Sequence, residues 1–145
     1  MQTQSYTEQL LGSWALVSAQ NIQPSGEILY PFGDRPSGLL VYQPDGTMSA
    51  QLSVGSPSRL LSDNFTQASD AEAATAWHEY FGYWGTFKID ANQRIVVHHV
   101  VGSCFANWIG TDQLRNFHFN ERGQLVLETP TPVGLYSLTW RRKST

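Results

Sequence analysis

Apolar and polar residues alternate with a period of two along most of this chain. The pattern is clearest in residues 94–120, where two β-rich runs are joined by a short connection rich in aromatic residues and glycine. One face of the second run carries Gln113, Arg115, Phe117 and Phe119. Because the two phenylalanines favour burial, this face is predicted to point inward. A buried guanidinium needs an acceptor, ordered water or a ligand, so Arg115 indicates an apolar container with a polar anchor.

The clearest hairpin is predicted around the turn at Pro44, Asp45 and Gly46. Pairing of Gln43 with Thr47 would set the register of its two strands. That register places five residues on one largely apolar face, namely Leu40, Tyr42, Met48, Ala50 and Leu52. The hairpin is therefore predicted to form one wall of the interior, with the Tyr42 phenol as its polar group.

Alternation and turn residues predict further strands at residues 13–23, 28–30, 83–89, 124–128 and 134–141. In the first of these, one face would carry Trp14, Leu16, Ser18 and Gln20. The strand at 83–89 places on one face Tyr83, Gly85, Phe87 and Ile89. The last strand brings together Tyr136, Leu138 and Trp140.

Helical signals are confined to two places. Residues 5–11 predict a short helical turn that Gly12 ends, and Ser69 with Glu72 matches a capping box. The second helix is predicted to run to about residue 81, where Gly82 stops it. Its apolar stripe would consist of Ala74, Trp77, Tyr80 and Phe81. This stripe has two interpretations, a helix that docks on the core and a lid over a cavity mouth.

The fold class predicted from these elements is all-β. About eight or nine short strands, one helix inserted mid-chain and a short N-terminal helical turn favour an antiparallel up-and-down meander that closes into a barrel, with a sandwich as the alternative. The chain has 145 residues, which fits a single barrel domain over residues 1–145.

Composition narrows the function classes. The formal net charge is -3 and the basic residues are scattered, so nucleic acid is not an expected partner. We find no apolar run long enough to span a bilayer and no signal peptide, so no membrane partner is expected. A lone cysteine, Cys104, fits a reducing compartment, and the expected location is the cytoplasm. The sequence leaves a homodimer open.

An ordered set of motifs resembles the small lipocalin-like domain family of bacterial and fungal proteins. The run Gly12-Ser13-Trp14 is similar to the lipocalin G-x-W signature, and Thr111-Asp112 to the T-D element. More specific likeness lies in residues 30–33, 42–50, 98–100 and 107–115. The resemblance covers nearly the whole chain and implies a calycin-type barrel with a pocket for a small, largely apolar molecule. It also implies that Arg141 closes the barrel end over Trp14.

The histidines are the first candidates for chemistry. His98 and His99 are neighbours on a predicted strand, so they point to opposite faces and cannot chelate one metal ion together. No ligand spacing brings in His78 or His118, and neither a metal site nor a cofactor is predicted. A loop of four residues at 91–94 would turn His98 inward, whereas a loop of three would turn His99 inward. The spacing of the resembled family favours His98.

Three functions fit these residues. The first is binding of a small, largely apolar molecule whose oxygen contacts Arg115 and Gln113, with Tyr42 completing the contact. The second is a cofactor-free isomerase or cyclase acting on a polyketide-like or terpenoid-like substrate, in which His98 moves a proton and Arg115 stabilises oxyanion charge. Some members of the resembled family occur in natural-product biosynthesis. The third is a structural or partner-binding barrel filled with side chains.

The candidate ligand-binding residues are Tyr42, Met48, Trp77, Tyr83, Phe87, His98, Trp108, Gln113, Arg115, Phe117 and Tyr136. Catalysis, if present, would use His98, Arg115 and Tyr42. These residues also have structural interpretations. His98 could be a hydrogen-bonded core histidine, Arg115 could pair with a carboxylate or a loop carbonyl, and the aromatic rings could simply pack in the core. Cys104 beside Ser103 belongs to no nucleophilic triad that the sequence supports.

Overall fold

The computed structural model describes residues 5–143, in which nine strands and two α-helices account for most of the fold. The helices are α1 (Tyr6–Leu10) and α2 (Asp70–Glu79), and short 3₁₀ turns lie at Phe65–Gln67 and Ala106–Trp108. The strands are β1 (Gly12–Ile22), β2 (Ile28–Leu29), β3 (Ser37–Tyr42), β4 (Thr47–Ser53), β5 (Tyr80–Asp90), β6 (Ile95–Ser103), β7 (Asp112–Phe119), β8 (Leu125–Thr131) and β9 (Gly134–Arg142).

Eight of the strands close into an antiparallel barrel. From β3 to β9 each strand pairs with the next along the chain, and β1 pairs with both β3 and β9. The two-residue strand β2 is an addition that pairs with the end of β1. Closure satisfies the backbone groups that an open sheet would leave at its edges. The predicted all-β, up-and-down barrel with a mid-chain helix is confirmed.

Local turn chemistry sets the register as the sequence indicates. Tyr42 pairs with Met48 across the β3–β4 hairpin, and Thr47 binds the Asp45 carboxylate through its backbone N–H at 2.9 Å. Val96 pairs with Ile89 across the β5–β6 hairpin, so the four-residue loop forms and His98 points inward. Both predictions are confirmed.

The alternation changes phase in the middle of β1. Trp14 and Leu16 point inward, but a bulge between Leu16 and Ser18 shifts the register against β9. After the bulge, Ala19 and Asn21 are the buried residues, so Ser18 and Gln20 do not share the face of Trp14 and Leu16 as predicted. A β-bulge places one extra residue in a strand, which moves all later side chains to the opposite face.

Helix α1 and the last strand seal one end of the barrel. The Trp14 indole Nε1 donates to the Leu10 carbonyl at 2.9 Å, and Leu10 is completely buried. The Arg142 guanidinium lies 4.2 Å from the centre of the Trp14 ring and donates to the Leu11 carbonyl. The prediction that Arg141 has this role is wrong by one residue. Arg142 pairs with Trp14 in the β1–β9 register, so it lies on the same side of the sheet.

Helix α2 differs from its prediction at its end and in its packing. The Ser69–Glu72 capping box forms, but the helix stops at Glu79, because residues 80 and 81 pair with β4 as the start of β5. No residue of α2 is buried, and Trp77 is 51% exposed. Of its predicted apolar stripe, Ala74, Trp77 and Tyr80 are exposed, whereas Phe81, which belongs to β5, packs against the core and lines the cavity. No helix within residues 5–143 is long and apolar enough to cross a membrane.

Strand β8 continues to Thr131, past its predicted end at residue 128, and includes Pro130. Proline lacks a backbone N–H and is tolerated where a strand has a free side. β7 pairs with β8 only up to Glu128, so beyond it β8 has β9 as its one sheet neighbour within the described chain. The N–H that Pro130 lacks would face this free side, so its absence breaks no pairing between strands.

Candidate functional site

The inside of the barrel is hollow above the sealed end. The cavity has a volume of about 550 Å³, which is in the usual range for a site that holds a drug-sized molecule. Alternate residues of the strands supply its apolar wall, including Leu40, Ala50, Leu52, Leu127, Leu138 and Trp140. Loop residues Pro31, Phe32 and Phe105 also line it. The alternative of an interior filled with side chains is therefore not what the structure shows.

A chain of three hydrogen-bonded side chains lies beside the cavity. The Tyr42 hydroxyl is 2.6 Å from Nε2 of His98, and the Tyr83 hydroxyl is 2.7 Å from Nδ1 of the same ring. His98 and Tyr83 line the cavity, whereas Tyr42 lies below it, opposite Gly12 near the sealed end. The three residues come from β6, β5 and β3, and all three are buried.

Burial keeps this chain of side chains uncharged. The pKa of His98 falls to about 3, mainly because burial disfavours the imidazolium and also because Arg115 is nearby. The pKa of Tyr42 is raised well above its usual value, first by burial and then by the neighbouring Tyr83. Burial also raises the pKa of Tyr83, although the Arg115 guanidinium opposes that rise. At neutral pH the cluster is therefore one imidazole and two phenols.

Arg115 supplies the positive charge of the cavity wall. Its guanidinium donates to the Leu114 carbonyl at 3.1 Å and lies 5.5 Å from the centre of the Trp108 ring. No carboxylate forms an ion pair with it within residues 5–143. The interpretation of Arg115 as half of a buried ion pair is therefore not supported, and the charge is left beside the cavity.

The neighbouring wall is aromatic and is held in place by side-chain contacts. Trp108 meets Phe81 and Tyr83 edge to face, with ring centres 5.1 and 5.3 Å apart. The Gln113 amide donates to the Thr111 hydroxyl at 2.9 Å, and that hydroxyl donates to the Trp108 carbonyl. Gln113 thus supports the position of Trp108 while it lines the cavity itself. Rigid rings of this kind suit a flat or aromatic guest.

The predicted ligand-binding residues fall into three groups. Those that line the cavity are Tyr83, His98, Trp108, Gln113, Arg115 and Tyr136. Four others are buried inside the barrel but do not line the cavity, namely Tyr42, Met48, Phe87 and Phe117. Trp77 lies on the exposed helix α2 and is not part of the cavity wall. Alternation identifies the residues that point inward, but it does not distinguish those that pack in the core from those that line the cavity.

Sequence reasoning missed several residues of the cavity wall. The faces predicted for β3, β4 and β9 already contained Leu40, Leu52 and Trp140, although these three were not among the candidate ligand-binding residues. Phe32 and Phe105 lie in connections between strands, where no periodicity indicates direction. An aromatic residue in a loop at the open end of a barrel is the signal that could have pointed to them.

The arrangement also limits the chemistry of His98. Both ring nitrogens are bonded to phenols, so neither faces the cavity as a free base. His99, on the outer face of β6, lies 2.8 Å from the Asp112 carboxylate and does not join this cluster. Within residues 5–143, no group of three or more His, Cys, Asp or Glu side chains could hold a metal ion.

Comparison with known protein families identifies the family to which this barrel belongs. A family model described as "Lipocalin-like domain" matches residues 11–142. The chain belongs to the lipocalin-like domain family. The match spans every strand of the barrel, which confirms the family indicated by the sequence motifs. Membership in the lipocalin-like family and the hollow interior together support small-molecule binding or carrying as the general role.

A curated relative and a solved structure are also similar. The relative is a protein of Aspergillus oryzae named "4'-hydroxy-3'-methoxypropiophenone carrier protein ppsC". It is 32% identical over 108 residues, which are 66% of this lipocalin-like chain and 96% of that protein. The solved structure is described as a redesigned β-barrel. It aligns over 95% of each chain with 11% identity and a TM-score of 0.47, too loose a likeness to bear on function.

Proposed function

We propose that this lipocalin-like barrel binds and carries a small, largely apolar molecule whose oxygen contacts Arg115. The observation that carries the proposal is an apolar, partly aromatic cavity with a guanidinium that has no carboxylate partner among the described residues. A cation beside a low-dielectric cavity attracts an oxygen with negative or partial negative charge, and charge-assisted hydrogen bonds are the strong ones. Gln113 lies on the same strand two residues away and offers a second polar contact.

The relative's name supports an aryl ketone as the type of guest. That protein is named as the carrier of a propiophenone with one hydroxyl and one methoxy substituent. Such a molecule combines an aromatic ring with a carbonyl, which matches the aromatic wall around Trp108 and the cation at Arg115. The cavity is roomy for one ring, so larger polyketide-like or terpenoid-like molecules stay within the proposal.

Isothermal titration calorimetry tests this with a matched pair of probes. The first is 4'-hydroxy-3'-methoxypropiophenone, and the second is 2-methoxy-4-propylphenol, which has the same ring and chain without the carbonyl. We expect both probes to bind and the ketone to bind more tightly. Arg115→Gln should weaken the ketone roughly tenfold or more, because hydrogen bonds to charged groups contribute about 1.5–3 kcal/mol. The affinity for 2-methoxy-4-propylphenol should change little in this variant.

The control is Arg122→Gln, which removes a guanidinium from the exposed turn between β7 and β8. It should leave the affinity for both probes unchanged. The proposal would be contradicted if neither probe binds to the wild-type chain. It would also be contradicted by an Arg115→Gln variant that binds the ketone as tightly as the wild type.

The same ketone also distinguishes the isomerase or cyclase alternative. The observation that favours this alternative is the Tyr83 hydroxyl, which lies beside Arg115 and is bonded to His98. In such a step a base from the solvent would remove the α-hydrogen, and the phenol and the cation at the carbonyl oxygen would stabilise the enolate that forms. Proton NMR in D₂O measures the rate at which the α-hydrogens of the ketone exchange with solvent. If the protein is only a carrier, we expect this rate to be the same with the protein as in buffer alone. Faster exchange that Arg115→Gln abolishes would support catalysis in its place.

A further inference from the structure

The hydrogens of the Tyr42–His98–Tyr83 chain can be counted. A neutral imidazole has one N–H and one bare nitrogen, and each phenol donates one hydrogen and accepts through its oxygen. The low pKa of His98 agrees with a neutral ring. Two arrangements are then possible, one with the ring hydrogen on Nδ1 and one with it on Nε2.

The two arrangements leave different hydrogens unpaired. With the ring hydrogen on Nδ1, Tyr42 donates to Nε2, and Nδ1–H donates to the Tyr83 oxygen. The hydroxyl hydrogen of Tyr83 is then free. With the ring hydrogen on Nε2, Tyr83 donates to Nδ1, Nε2–H donates to the Tyr42 oxygen, and the hydroxyl hydrogen of Tyr42 is free.

The surroundings of the two phenols decide between these arrangements. Tyr42 is 1% exposed, and within residues 5–143 His98 is the hydrogen-bond partner of its hydroxyl. A free hydrogen on Tyr42 would therefore be buried without an acceptor, which native proteins avoid. Tyr83 lines the cavity, so a free hydrogen there can meet a guest. The hydrogen-bond count favours the Nδ1–H form.

We infer that the Tyr83 hydroxyl donates a hydrogen bond to the guest and, with Arg115, selects an oxygen that only accepts. Tyr42 and His98 act through Tyr83 as positioning residues that hold its hydrogen towards the cavity. This inference rests on the proposed function and goes further by naming the polar group that the cavity prefers. A ketone carbonyl satisfies two donors at once. An alcohol in the same place brings a hydrogen of its own, which faces two donors and finds no acceptor between them.

The tautomer can be measured without any guest. We expect a nitrogen–carbon correlation NMR spectrum of the ligand-free protein to show His98 with Nδ1 protonated and Nε2 bare. In Tyr42→Phe, Nε2 has no partner in either form, because a bare Nε2 loses its donor and an Nε2–H loses its acceptor. The unpaired Tyr42 hydrogen that disfavoured the Nε2–H form is also gone, so the two forms become similar in energy. We therefore expect the Nε2–H form to become populated in the variant. A wild-type spectrum with Nε2 protonated would overturn the inference whatever the binding results are.

The guest's preference is measured with 4'-hydroxy-3'-methoxypropiophenone and the alcohol made by reducing its ketone. We expect the wild type to bind the ketone on the order of tenfold more tightly than the alcohol. Tyr83→Phe should lower the affinity for the ketone and largely remove the preference, while 2-methoxy-4-propylphenol still binds. Tyr42→Phe should reduce the preference as well, although residue 42 does not line the cavity.

The matched control is Tyr80→Phe, which removes a phenol hydroxyl from the outer face of the same strand, where it donates to Gln51. It should leave the ketone preference unchanged. A Tyr83→Phe variant that keeps the full preference would overturn the inference. So would equal weakening of all three probes, because that indicates general damage to the cavity. If no probe binds the wild type, the proposed function fails, and the tautomer spectrum still tests the geometry.

Discussion

Burial changes the acid–base behaviour of single residues in this barrel, and His98 is the clearest example. Its pKa falls from 6.5 to about 3 because burial and the nearby Arg115 both disfavour the imidazolium. In the unfolded chain the same ring takes up a proton below about pH 6.5. Between these two values the unfolded state binds more protons than the folded state. Stability is therefore lost as the pH falls through this window, and is fully present above it.

We expect His98 alone to lower the free energy of unfolding by about 2 kcal/mol between about pH 6.5 and 5, since one pKa unit corresponds to about 1.4 kcal/mol. Urea denaturation across this range measures it. His98→Gln should remove that part of the pH dependence, and His78→Gln, which replaces an exposed histidine of α2, should retain it. An NMR titration of wild-type His98 with a midpoint above pH 5 would show the prediction to be wrong.

At the scale of single residues, the sequence predicted which side chains point inward, but it did not predict their hydrogen-bond partners. Alternation and loop length indicate that His98 and Arg115 point inward, because both signals are local. They do not indicate that Tyr83 is bonded to His98, since β5 and β6 are long strands with several inward positions. That contact is set by how the side chains pack inside the closed barrel.

The two helices show how similar local signals lead to different roles at the level of elements. Ser5 caps α1 by accepting from the Glu8 N–H at 3.2 Å, and Ser69 caps α2 by accepting from the Glu72 N–H at the same distance. α1 buries Leu10 against the barrel end, whereas α2 buries no residue. A cap contributes to global stability only as far as its helix is packed on the rest of the fold.

Ser5→Ala should therefore lower the global free energy of unfolding by about 1 kcal/mol, the usual cost of losing an N-cap. Ser69→Ala should change it by less than about 0.5 kcal/mol and should instead speed amide hydrogen exchange within α2. Urea denaturation and hydrogen exchange followed by NMR measure the two effects. Equal losses of global stability in both variants would mean that α2 is coupled to the barrel more tightly than its exposure indicates.

The whole barrel combines a sealed, well-filled end with a hollow remainder. Met48, Phe87 and Phe117 fill the part near α1, and the apolar wall above them encloses the cavity. A cavity lined by apolar side chains forgoes contacts that a filled interior would make, so it costs stability. If the space serves a guest, filling it should favour the fold and remove the function.

Thr129→Phe and Thr139→Phe form a matched pair for this test. Thr129 lines the cavity, and Thr139 lies on β9 between the inward residues Leu138 and Trp140, so it points outward. We expect Thr129→Phe to raise the free energy of unfolding by about 1 kcal/mol through added apolar burial and to abolish binding of the propiophenone. Thr139→Phe should leave binding intact. Retained binding in Thr129→Phe, measured by calorimetry, would place the guest elsewhere.

The sequence by itself determined the strands, the register of the β3–β4 hairpin and the inward face that carries Arg115. These features follow from interactions between near neighbours: period-two alternation, turn residues and loop length. The lipocalin-like motifs added the barrel, because an ordered set of them spans nearly the whole chain.

Only the tertiary structure decided the features that depend on closing the barrel. The pairing of β1 with β9 put Arg142, and not its neighbour, over Trp14, and the bulge in β1 reversed its later alternation. Closure also separated inward residues that fill the sealed end from those that face the cavity. The physical reason is distance along the chain: β3, β5 and β6 meet around one interior, so the Tyr42–His98–Tyr83 chain exists only once they are joined.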